Sequence, residues 1–527
     1  MTDREWWRGA ALYQIYLRSF QDSDGDGIGD LTGAVDRLEY VASLGVDGLW
    51  LTPFFASPMR DFGYDVSDHC SVNPAYGSLG DFDRLVARAH ELGLKVLIDQ
   101  VWNHTAVEHP WFEQSRSSRD NSRADWYVWA NARADGSPPN NWLSWMGGPA
   151  WTWEPRRRQY YLHNFLPQMP DLNFHCPAVQ DAILRTARFW LDRGVDGLRL
   201  DAANFYFHHA ALTDNPSLPA PDAGDLPVLM QRHEYNADQP ETIDFLERVR
   251  TMLDEYPSRM SVAEIGGADG LARMLEYTRG PRRLHTAYSF ALLGDRQGPE
   301  YVASCLEPWQ SAEAVDAWPC WALSNHDVPR VATRWRGTPR LHLALLAALR
   351  GTLFIYQGEE LGLAQSTLRF EELRDPFGRA HWPSNAGRDG CRTPMPWQAA
   401  APSGGFTRGV PWLPFDPAHR AHAVDAQETD AQSPLHLARR LLSLRRNSPA
   451  LRVGDLAVER ARDDALVLRR SWEDERLWLA FNLGPEPRRL DAPSGSPEPF
   501  LSLDGARLDA GEVTLPGYSA LFAKLAS

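Results

Sequence analysis

Short apolar segments alternate with helical segments over most of this 527-residue chain, and this alternation constrains the fold more than any other feature. Apolar runs of this length, rich in Val, Ile, Leu and aromatic residues, are typical of buried β-strands. Eight strands are predicted, at residues 11–20, 46–52, 95–101, 197–201, 260–265, 286–290, 319–324 and 352–356. Helices are predicted at residues 31–43, 81–92, 177–193, 241–256, 341–349 and 435–446. Eight such alternations predict an α/β fold, a (β/α)8 TIM barrel.

Two stretches break the alternation and indicate further domains. Residues 105–172 lack helical periodicity and are rich in Trp, Asn, Pro and Gly, which indicates a subdomain inserted after strand three. From residue 454 onward apolar and polar residues alternate, which predicts a small antiparallel β domain, sandwich-like in form. We therefore expect the barrel at 1–104 and 173–453, the inserted subdomain at 105–172 and the C-terminal domain at 454–527. A polar loop at 214–239 is expected to shape a pocket mouth.

The charge of the chain excludes several classes of partner. The formal net charge is -15, which argues against nucleic acids and anionic membranes as partners. No apolar run reaches the 18 or so residues that a membrane span needs. We therefore expect a small-molecule substrate and a protein that acts as a monomer or a homodimer.

The cysteines and the first residues bear on location. The five cysteines are odd in number and widely spread, with no spacing typical of a zinc site: Cys70, Cys176, Cys305, Cys320 and Cys391. Reduced thiols are typical of a cytoplasmic protein. The first residues are polar and carry no apolar signal segment, so the cytoplasm is predicted, with the periplasm as the alternative if a leader was removed.

Three predicted strands end in or lead into a carboxylate, at Asp201, Glu264 and Asp327. A single acid at a strand end is more often a turn or capping residue. Three of them suit cleavage of a glycosidic bond, in which one carboxylate attacks and another transfers a proton. Arg199 lies two residues before Asp201, on the same strand face, and His326 directly precedes Asp327. A positive neighbour keeps a carboxylate ionised, as a nucleophile requires.

A second acidic group near the start of the chain indicates a cation site. Counted from Asp22, acids stand at positions 1, 3, 5 and 9 of a loop like that of an EF-hand, as Asp22, Asp24, Asp26 and Asp30. Gly27 stands at the turn position, and Ile28 would supply its backbone carbonyl. The usual bidentate Glu is replaced by Gly33. We expect a structural Ca²⁺, with Mg²⁺ as the alternative ion and a solvated acidic turn as the alternative interpretation.

Seven ordered motifs together resemble glycoside hydrolase family 13, the α-amylase family. They are the opening W-W-R-G-A-A-L-Y-Q-I-Y-L-R-S-F, D-Q-V-W-N-H-T at 99–105, Q-M-P-D-L-N at 168–173, D-G-L-R-L-D at 196–201, V-A-E-I at 262–265, S-N-H-D at 324–327 and R-D-G-C-R-T-P-M at 388–395. The chain is most similar to the α-glucosidase and oligo-1,6-glucosidase branch. The resemblance implies that Asp201 is the nucleophile, Glu264 the general acid/base and Asp327 the transition-state stabiliser of a retaining double displacement.

The same resemblance implies a substrate pocket. It places Tyr64, His104, Arg199 and His326 around the glucosyl ring, and it adds Phe165 and Ala202 to the substrate-binding residues. Asp61 and Arg392 resemble the pair that grips the non-reducing end, which would make the enzyme exo-acting. The alternatives are that His104 is a core residue and that Arg392 forms an ordinary surface ion pair.

Three positions bear on specificity. In the family, the residue after the nucleophile tends to be Val in α-1,6 enzymes and small in α-1,4 enzymes, so Ala202 implies α-1,4 linkages and maltose-like substrates. Met146 and Met169 stand where relatives often have Phe and Gln, which makes the acceptor wall more apolar and adaptable. We therefore expect transfer of glucose to hydroxyl acceptors, aromatic alcohols included, in competition with hydrolysis.

Other functions stay open at this point. Within the family these are oligo-1,6-glucosidase, trehalose synthase, sucrose hydrolase and phosphosugar glucosidase. A different class is the non-catalytic heavy chain of amino-acid transporters. Those relatives carry a membrane anchor and have usually lost the acids, whereas this chain has all three carboxylates and no anchor-like segment.

Overall fold

The computed structural model of the protein describes residues 5–219, 226–494 and 497–526, so part of the predicted 214–239 loop lies outside the described residues. Its main element is one sheet of eight parallel strands. They are β1 Ala11–Ile15, β2 Gly48–Leu51, β3 Lys95–Gln100, β4 Gly197–Leu200, β5 Met260–Ile265, β6 Thr286–Ser289, β7 Cys320–Ala322 and β8 Thr352–Tyr356. Their order is β6-β5-β4-β3-β2-β1-β8-β7, and a parallel bridge between Ala287 and Pro319 joins the two edges. The predicted (β/α)8 barrel is confirmed.

The barrel strands are buried on both faces, as continuous apolar runs in a parallel sheet require. Trp50 of β2 and Leu97 of β3 belong to a cluster that fills the barrel interior. Their chain neighbours Leu49 and Ile98 belong to the larger cluster between the sheet and the surrounding helices. Successive side chains point to opposite faces of a strand, so each run of three or four apolar residues supplies both cores.

The helices around the barrel follow the prediction in most places. They are Leu31–Asp36, Leu38–Ser43, Leu79–Glu91, Pro177–Leu191, Glu241–Leu253, Gly270–Thr278, Pro299–Leu306, Val331–Arg334, Pro339–Ala348 and Pro434–Asn447, with shorter ones at Pro376–His381, Val424–Glu428 and Pro449–Arg452. The helical pattern predicted at 31–43 is confirmed, but it is divided into two helices because the chain breaks at Arg37, whose φ and ψ are -108° and 1°. Gly270–Thr278 and Pro299–Leu306 were not predicted. They have nine and eight residues, fewer than the window over which helical periodicity is read.

The segment inserted after β3 contains a helix, contrary to the expectation that residues 105–172 have none. The helix Pro110–Ser117 begins with Pro at its first position, and the His109 Nδ1 accepts a hydrogen bond from the Trp111 N–H at 3.1 Å. Proline at the first helical position is a start signal that the sequence offered. Three short antiparallel strands complete the segment: Trp129–Ala130, Trp151–Glu154 and Gln159–Leu162.

The C-terminal part is built of antiparallel strands, as predicted. A five-stranded sheet and a three-stranded sheet contain Asp455–Arg462, Ala465–Trp472, Glu475–Asn482, Arg488–Asp491, Glu498–Leu503, Arg507–Asp509, Glu512–Leu515 and Ser519–Lys524. The buried Arg470 attaches this domain to the barrel: its Nη1 donates to the Ala348 carbonyl at 2.8 Å, at the end of helix Pro339–Ala348. Carbonyls at a helix C-terminus lack partners within the helix, so a buried guanidinium suits them. In the part of the chain that the structure describes, no helix combines the length and the apolar character that crossing a bilayer demands.

Candidate active site

The three predicted catalytic carboxylates lie at the carboxyl-terminal rim of the barrel. Asp201 directly follows β4, Glu264 is the fifth residue of β5, and Asp327 lies in the segment after β7. All three line one cavity of about 1120 Å³. Parallel strands bring their carboxyl ends to the same rim, where catalytic groups of (β/α)8 barrels lie. Five of the residues predicted to bind substrate also line this cavity, namely Asp61, Tyr64, His104, Phe165 and Ala202.

A buried guanidinium joins three carboxylates below the cavity. Arg199, with 0% exposure, places Nη1 at 2.7 Å from Asp99 Oδ1 and at 2.5 Å from Asp201 Oδ1. Its other terminal nitrogen, Nη2, lies 2.5 Å from Glu264 Oε1. The planar fork of an arginine suits this bridging role, because its nitrogens have fixed relative positions. Arg199 therefore holds the predicted nucleophile and the predicted acid/base on one rigid group.

Asp99 is a member of the site that the sequence analysis did not single out. It lies on β3 in register with Arg199 of β4, so the two residues are direct neighbours across the sheet. Its Oδ2 accepts a hydrogen bond from the Tyr64 hydroxyl at 3.0 Å. The signal in the sequence was the acid inside an otherwise apolar strand, since a buried carboxylate needs a charged partner. Tyr288 is a second unpredicted member, and its hydroxyl donates to Glu264 Oε1 at 2.9 Å.

Asp201 and Glu264 are buried around one shared guanidinium, so they do not both ionise freely at neutral pH. Burial raises the pKa of Asp201 to about 7, and the adjacent Arg199 opposes that rise. Burial also raises the pKa of Glu264 to about 7, against Arg199 and with the help of the Asp201 and Asp327 charges. Because the two carboxyls interact, their protons are lost in two steps. Between these steps the pair holds one proton, as an acid and a nucleophile acting together require.

Asp327 has a different electrostatic environment. Its Oδ1 lies 2.9 Å from Arg392 Nη2 and 3.4 Å from Arg388 Nη1, and its Oδ2 lies 3.3 Å from His326 Nε2. Burial works to raise the pKa of Asp327, but the contact with His326 and the positive charges of Arg392 and Arg388 outweigh it and lower that pKa to about 2. Asp327 is therefore an ionised carboxylate across the pH range in which the other two change protonation.

The predicted pairing of Asp61 with Arg392 is wrong. The ion-pair partner of Asp61 is Arg388, which also lies 2.8 Å from Asp375. Arg392 is 1% exposed and does not line the cavity, and its Nε donates to the His326 carbonyl at 2.7 Å. The two arginines flank the short turn Asp389–Cys391, which directs Arg388 into the cavity and Arg392 behind Asp327. Both belong to the motif R-D-G-C-R-T-P-M, so spacing alone could not separate their roles.

Tyr64 and His326 form a stacked pair beside the carboxylates. Their ring planes differ by 7° and their centroids are 5.3 Å apart, and the Tyr64 oxygen lies 2.6 Å from His326 Nε2. His326 is fully buried and contacts Gln14 on its far side, at 2.8 Å from Nδ1. His104 is also buried, and burial lowers the pKa of each ring to about 3. Both histidines are therefore neutral, which suits hydrogen bonding to uncharged hydroxyl groups.

The other side of the cavity is mostly apolar. Ala202 packs with Phe205 and Ala237, and Trp145 and Phe165 contact this cluster. Met146 and Met169, the two departures from the family pattern, line the same cavity. Ala202 adopts a left-handed conformation, with φ 44° and ψ 42°, and its N–H donates to Glu264 Oε2 at 3.2 Å. Ala202, the residue after the predicted nucleophile, thus contacts both the predicted acid/base and the apolar wall.

The acidic loop near the start gathers three of its predicted cation ligands. One carboxylate oxygen from each of Asp22, Asp24 and Asp30 lies within 4.8 Å of the other two. Asp26 is outside this group, and its Oδ1 accepts a hydrogen bond from the Ile28 N–H at 2.7 Å. Oxygen donors of this kind fit a hard cation such as Ca²⁺.

A (β/α)8 barrel with a buried carboxylate pair and a third ionised acid at its rim is an arrangement typical of glycoside hydrolases. Comparison with known families places it further. The profile of the alpha amylase catalytic domain matches residues 14–454, and a domain of unknown function, DUF3459, matches residues 454–522. The chain belongs to glycoside hydrolase family 13, the α-amylase family, in its α-glucosidase and oligo-1,6-glucosidase branch.

Individual relatives agree with this assignment. The chain is 49% identical to a probable alpha-glucosidase of Rhizobium meliloti (strain 1021), over 99% of this chain and 98% of that protein. It is 34% identical to an oligo-1,6-glucosidase of Heyndrickxia coagulans, with 97% of each covered. Among solved structures, an alpha-glucosyl transfer enzyme, XgtA, is 51% identical with a TM-score of 0.95 and 99% of each chain covered. The trehalulose synthase MutB from Pseudomonas mesoacidophila MX-45 is 30% identical with a TM-score of 0.91, again over 99% of each.

Proposed function

We propose that the protein is an exo-acting, retaining α-glucosidase that releases glucose from the non-reducing end of short α-glucosides. The observation that carries this proposal is the Arg199 guanidinium, whose two terminal nitrogens bind Asp201 and Glu264 at 2.5 Å each. A retaining pair needs carboxyl groups roughly 5–5.5 Å apart, whereas an inverting pair leaves room for a water between them. Because Asp201 and Glu264 both contact the Arg199 guanidinium, their carboxyl groups suit the shorter separation of a retaining pair.

The proposed reaction has two steps. Asp201 attacks the anomeric carbon while Glu264 gives its proton to the glycosidic oxygen, so the leaving sugar departs as an alcohol and a glucosyl ester forms on Asp201. Glu264, now a carboxylate, then takes a proton from an incoming water, whose oxygen displaces Asp201 and restores the α-configuration. Asp327, held ionised by Arg392 and Arg388, stabilises the positive charge that develops on the sugar ring.

Exo-action follows from the ion pair between Arg388 and Asp61. Both residues line the cavity beside Asp327, and both side chains are largely buried, at 13% and 4% exposure. A charged pair in this position offers hydrogen bonds to the outer hydroxyls of a terminal glucosyl unit. It also fills the space that a longer chain would need in order to pass through. We therefore expect cleavage of one terminal unit at a time.

The preference for α-1,4 linkages rests on Ala202. Its small side chain lines the cavity next to Phe205, and its N–H donates to Glu264, the proposed proton donor to the leaving sugar. A β-branched residue would narrow this space, and a single methylene in such a pocket is worth roughly 1–3 kcal/mol of discrimination. Comparing maltose, isomaltose, sucrose and trehalose as substrates tests this proposal and separates it from the oligo-1,6-glucosidase, sucrose hydrolase and trehalose synthase alternatives.

Transfer to acceptors other than water is the second proposed activity. The apolar wall formed by Trp145, Met146, Phe165, Met169 and Phe205 favours an acceptor with an apolar body over water. A cavity of about 1120 Å³ exceeds what a glucosyl unit fills, so it has room for an acceptor. The similarity to a structure described as an alpha-glucosyl transfer enzyme supports the same proposal. Incubation with maltose and hydroquinone should yield a glucoside, whereas free glucose alone at high acceptor concentration would rule it out.

A structural Ca²⁺ at the loop of Asp22, Asp24 and Asp30 is also proposed, with Mg²⁺ as the alternative. Three carboxylate oxygens within 4.8 Å repel one another unless a cation neutralises them. Thermal unfolding of chelator-treated protein should move to higher temperature on addition of Ca²⁺. The same addition should have little effect on Asp24→Asn. An equal response of both proteins would place the ion elsewhere.

A cytoplasmic location is proposed from the cysteines. All five are free in the structure, and three of them are buried. Free buried thiols persist in a reducing compartment. Fractionation of cells that make the protein would test this, and recovery from the periplasm would contradict it.

A further inference from the structure

The acceptor side of the cavity contains a carboxylate that the reaction described above does not use. Asp238 lies in the segment after β4, near the start of helix Glu241–Leu253, and it lines the same cavity as Asp201 and Glu264. Its side chain is 22% exposed, which leaves it open to the cavity but largely shielded from bulk solvent. It belongs to the loop 214–239 that the sequence predicts at the pocket mouth, but no motif singled it out.

The surroundings of Asp238 place it next to the leaving-group side of the reacting bond. The preceding residue, Ala237, packs against Ala202 and Phe205, directly after the proposed nucleophile. Asn204 Nδ2 donates both to Asp238 Oδ1 and to the carbonyl of Gly266, at 3.2 Å each, and Gly266 is two residues after Glu264. Asp238 thus contacts the segments that follow the proposed nucleophile and the proposed acid/base. It does not contact the end of the cavity at which Asp61 and Arg388 form their ion pair.

Asp238 is held firmly in this place. Its N–H donates to the Asn204 carbonyl at 2.7 Å, and its φ of 58° is a left-handed conformation that Asp and Asn tolerate. The neighbouring Asn236 is fully buried and donates to Asn164 Oδ1 at 2.8 Å. Gln239 Nε2 donates to the Ala237 carbonyl at 2.8 Å. A polar group on such a rigid support is suited to positioning a bound molecule.

One oxygen of Asp238 remains available to a ligand. Asn204 binds Oδ1, and Arg273 Nε lies 3.8 Å from the same atom, beyond hydrogen-bond distance. Within the described residues no hydrogen bond reaches Oδ2. Burial raises the pKa of Asp238 to about 6, with Asn204 and Arg273 opposing the rise, so at neutral pH the group is mostly an ionised acceptor.

We propose that Asp238 is a specificity-determining residue of the acceptor subsite, where Oδ2 accepts a hydrogen bond from a ring hydroxyl of the leaving or incoming sugar. The inference rests on the proposed α-glucosidase function. A hydroxylated ring on the acceptor side would bind Asp238, whereas an aromatic ring without ring hydroxyls would only pack on the apolar wall. The balance between sugar and aromatic acceptors would therefore depend on this carboxylate.

The test compares two substrates that share the glucosyl group and differ in the leaving group. Maltose releases glucose, with ring hydroxyls for Asp238 to bind, and p-nitrophenyl α-glucoside releases p-nitrophenol, whose one hydroxyl is the oxygen of the cleaved bond. In Asp238→Asn and Asp238→Ala, kcat/KM for maltose should fall about tenfold to a hundredfold, the worth of one hydrogen bond to a charged group. For p-nitrophenyl α-glucoside, kcat/KM should change less than about threefold, because no hydrogen bond to Asp238 is lost. The ratio of the two values does not depend on how much of the variant is folded.

Asp269→Asn is the matched control. Asp269 lines the same cavity, but it is 61% exposed and its nearest cation, Arg232, is 4.0 Å away. This variant should leave the ratio unchanged. With glucose and phenol as competing acceptors, the Asp238 variants should lose transfer to glucose and keep transfer to phenol, which has no hydroxyl besides the one that is glucosylated.

Two results would overturn the inference. An equal loss of kcat/KM on both substrates would show that Asp238 only supports the fold around Asn204, and an unchanged kcat/KM on both would show that it binds no substrate hydroxyl. Both results leave the proposed α-glucosidase intact, because the unmodified enzyme still cleaves both substrates. If the unmodified enzyme cleaves neither, the proposed function fails and the inference fails with it.

Discussion

Arg199 and Glu264 form an ion pair of 2.5 Å through the nitrogen of the guanidinium that does not bind Asp201. The proposed nucleophile and the proposed acid/base thus share one positive charge, which Asp99 also shares at 2.7 Å. Three carboxylates around one buried cation cannot all ionise easily, so one proton remains in the group near neutral pH. This shortage of positive charge is the physical basis of the acid and base roles in the site.

Replacement of Arg199 should affect the pH dependence as well as the rate. Loss of the guanidinium raises the pKa of Asp201, because the ionised form loses its partner. The acidic limb of kcat/KM for p-nitrophenyl α-glucoside should therefore move to higher pH in Arg199→Gln, which removes the positive charge, and kcat should fall about a hundredfold or more, as for other lost transition-state donors. A pH-rate profile measures both. Tyr288→Phe, which removes a neutral hydroxyl from Glu264 and leaves the charge in place, should cost less, and an unshifted acidic limb in Arg199→Gln would contradict the assignment.

The basic limb of the pH profile should belong to Glu264. This group must be protonated to act as the acid, and its pKa is raised to about 7, so activity on maltose should decline as the pH rises through that value. Glu264→Gln should abolish maltose cleavage. It should still form the glucosyl-enzyme from p-nitrophenyl α-glucoside, whose leaving group needs little protonation, and that first step should have no basic limb. A basic limb that persists in this variant would assign the acid to another residue.

Arg388 and Arg392 should give different kinetic effects. Arg388→Ala removes the partner of Asp61 at the closed end of the cavity, so KM for maltose should rise about tenfold, the worth of one charged hydrogen bond. Asp61→Asn should behave similarly, since it removes the same ion pair. Arg392→Lys should chiefly lower kcat, because Arg392 is buried behind Asp327 and holds it at 2.9 Å. Steady-state kinetics on maltose separate the two patterns. If KM rises in Arg392→Lys and not in Arg388→Ala, then Arg392 and not Arg388 acts with Asp61 on the substrate.

Ala202→Val should shift linkage preference and also reduce stability. The added methyl groups narrow the acceptor side, so the ratio of α-1,4 to α-1,6 cleavage should fall about tenfold. A β-branched residue at φ 44° should also cost about 1–3 kcal/mol in backbone strain. Ala202→Gly is the control, because glycine relieves the strain and leaves the space open. Comparing maltose with isomaltose, together with thermal unfolding, measures both effects, and an unchanged linkage ratio in Ala202→Val would show that this side chain does not set the preference.

The sequence predicted the barrel because each strand is a contiguous apolar run that must be buried on both faces. β5 and β8 were predicted with the bounds that the structure has, at Met260–Ile265 and Thr352–Tyr356. Asp201 directly follows such a run and Glu264 lies near the end of one, whereas Asp327 lies five residues beyond β7 and was found through the motif S-N-H-D. Helices of eight or nine residues, such as Pro299–Leu306, have too few turns to show a period.

The parts of the site that were missed depend on contacts distant in sequence. Asp99 meets Arg199 across a strand pair, and Tyr288 reaches Glu264 from β6. Which of Arg388 and Arg392 pairs with Asp61 depends on how an irregular segment turns, and the spacing of residues in the sequence does not determine that turn. Asp238 lies in a polar loop whose anchors, Asn204 and Asn236, are common residue types. Such positions are set by tertiary contacts, which no local pattern predicts.

The central claim is that Asp201 becomes covalently glucosylated during the reaction. The most direct measurement is to trap this ester with a 5-fluoro-α-glucosyl fluoride, digest the protein and locate the modified peptide by mass spectrometry. The account predicts one fluoroglucosyl group on Asp201, lost on incubation with an acceptor, and α-glucose as the first-formed product from maltose. A label on another residue, or β-glucose as the first product with no label, would contradict it.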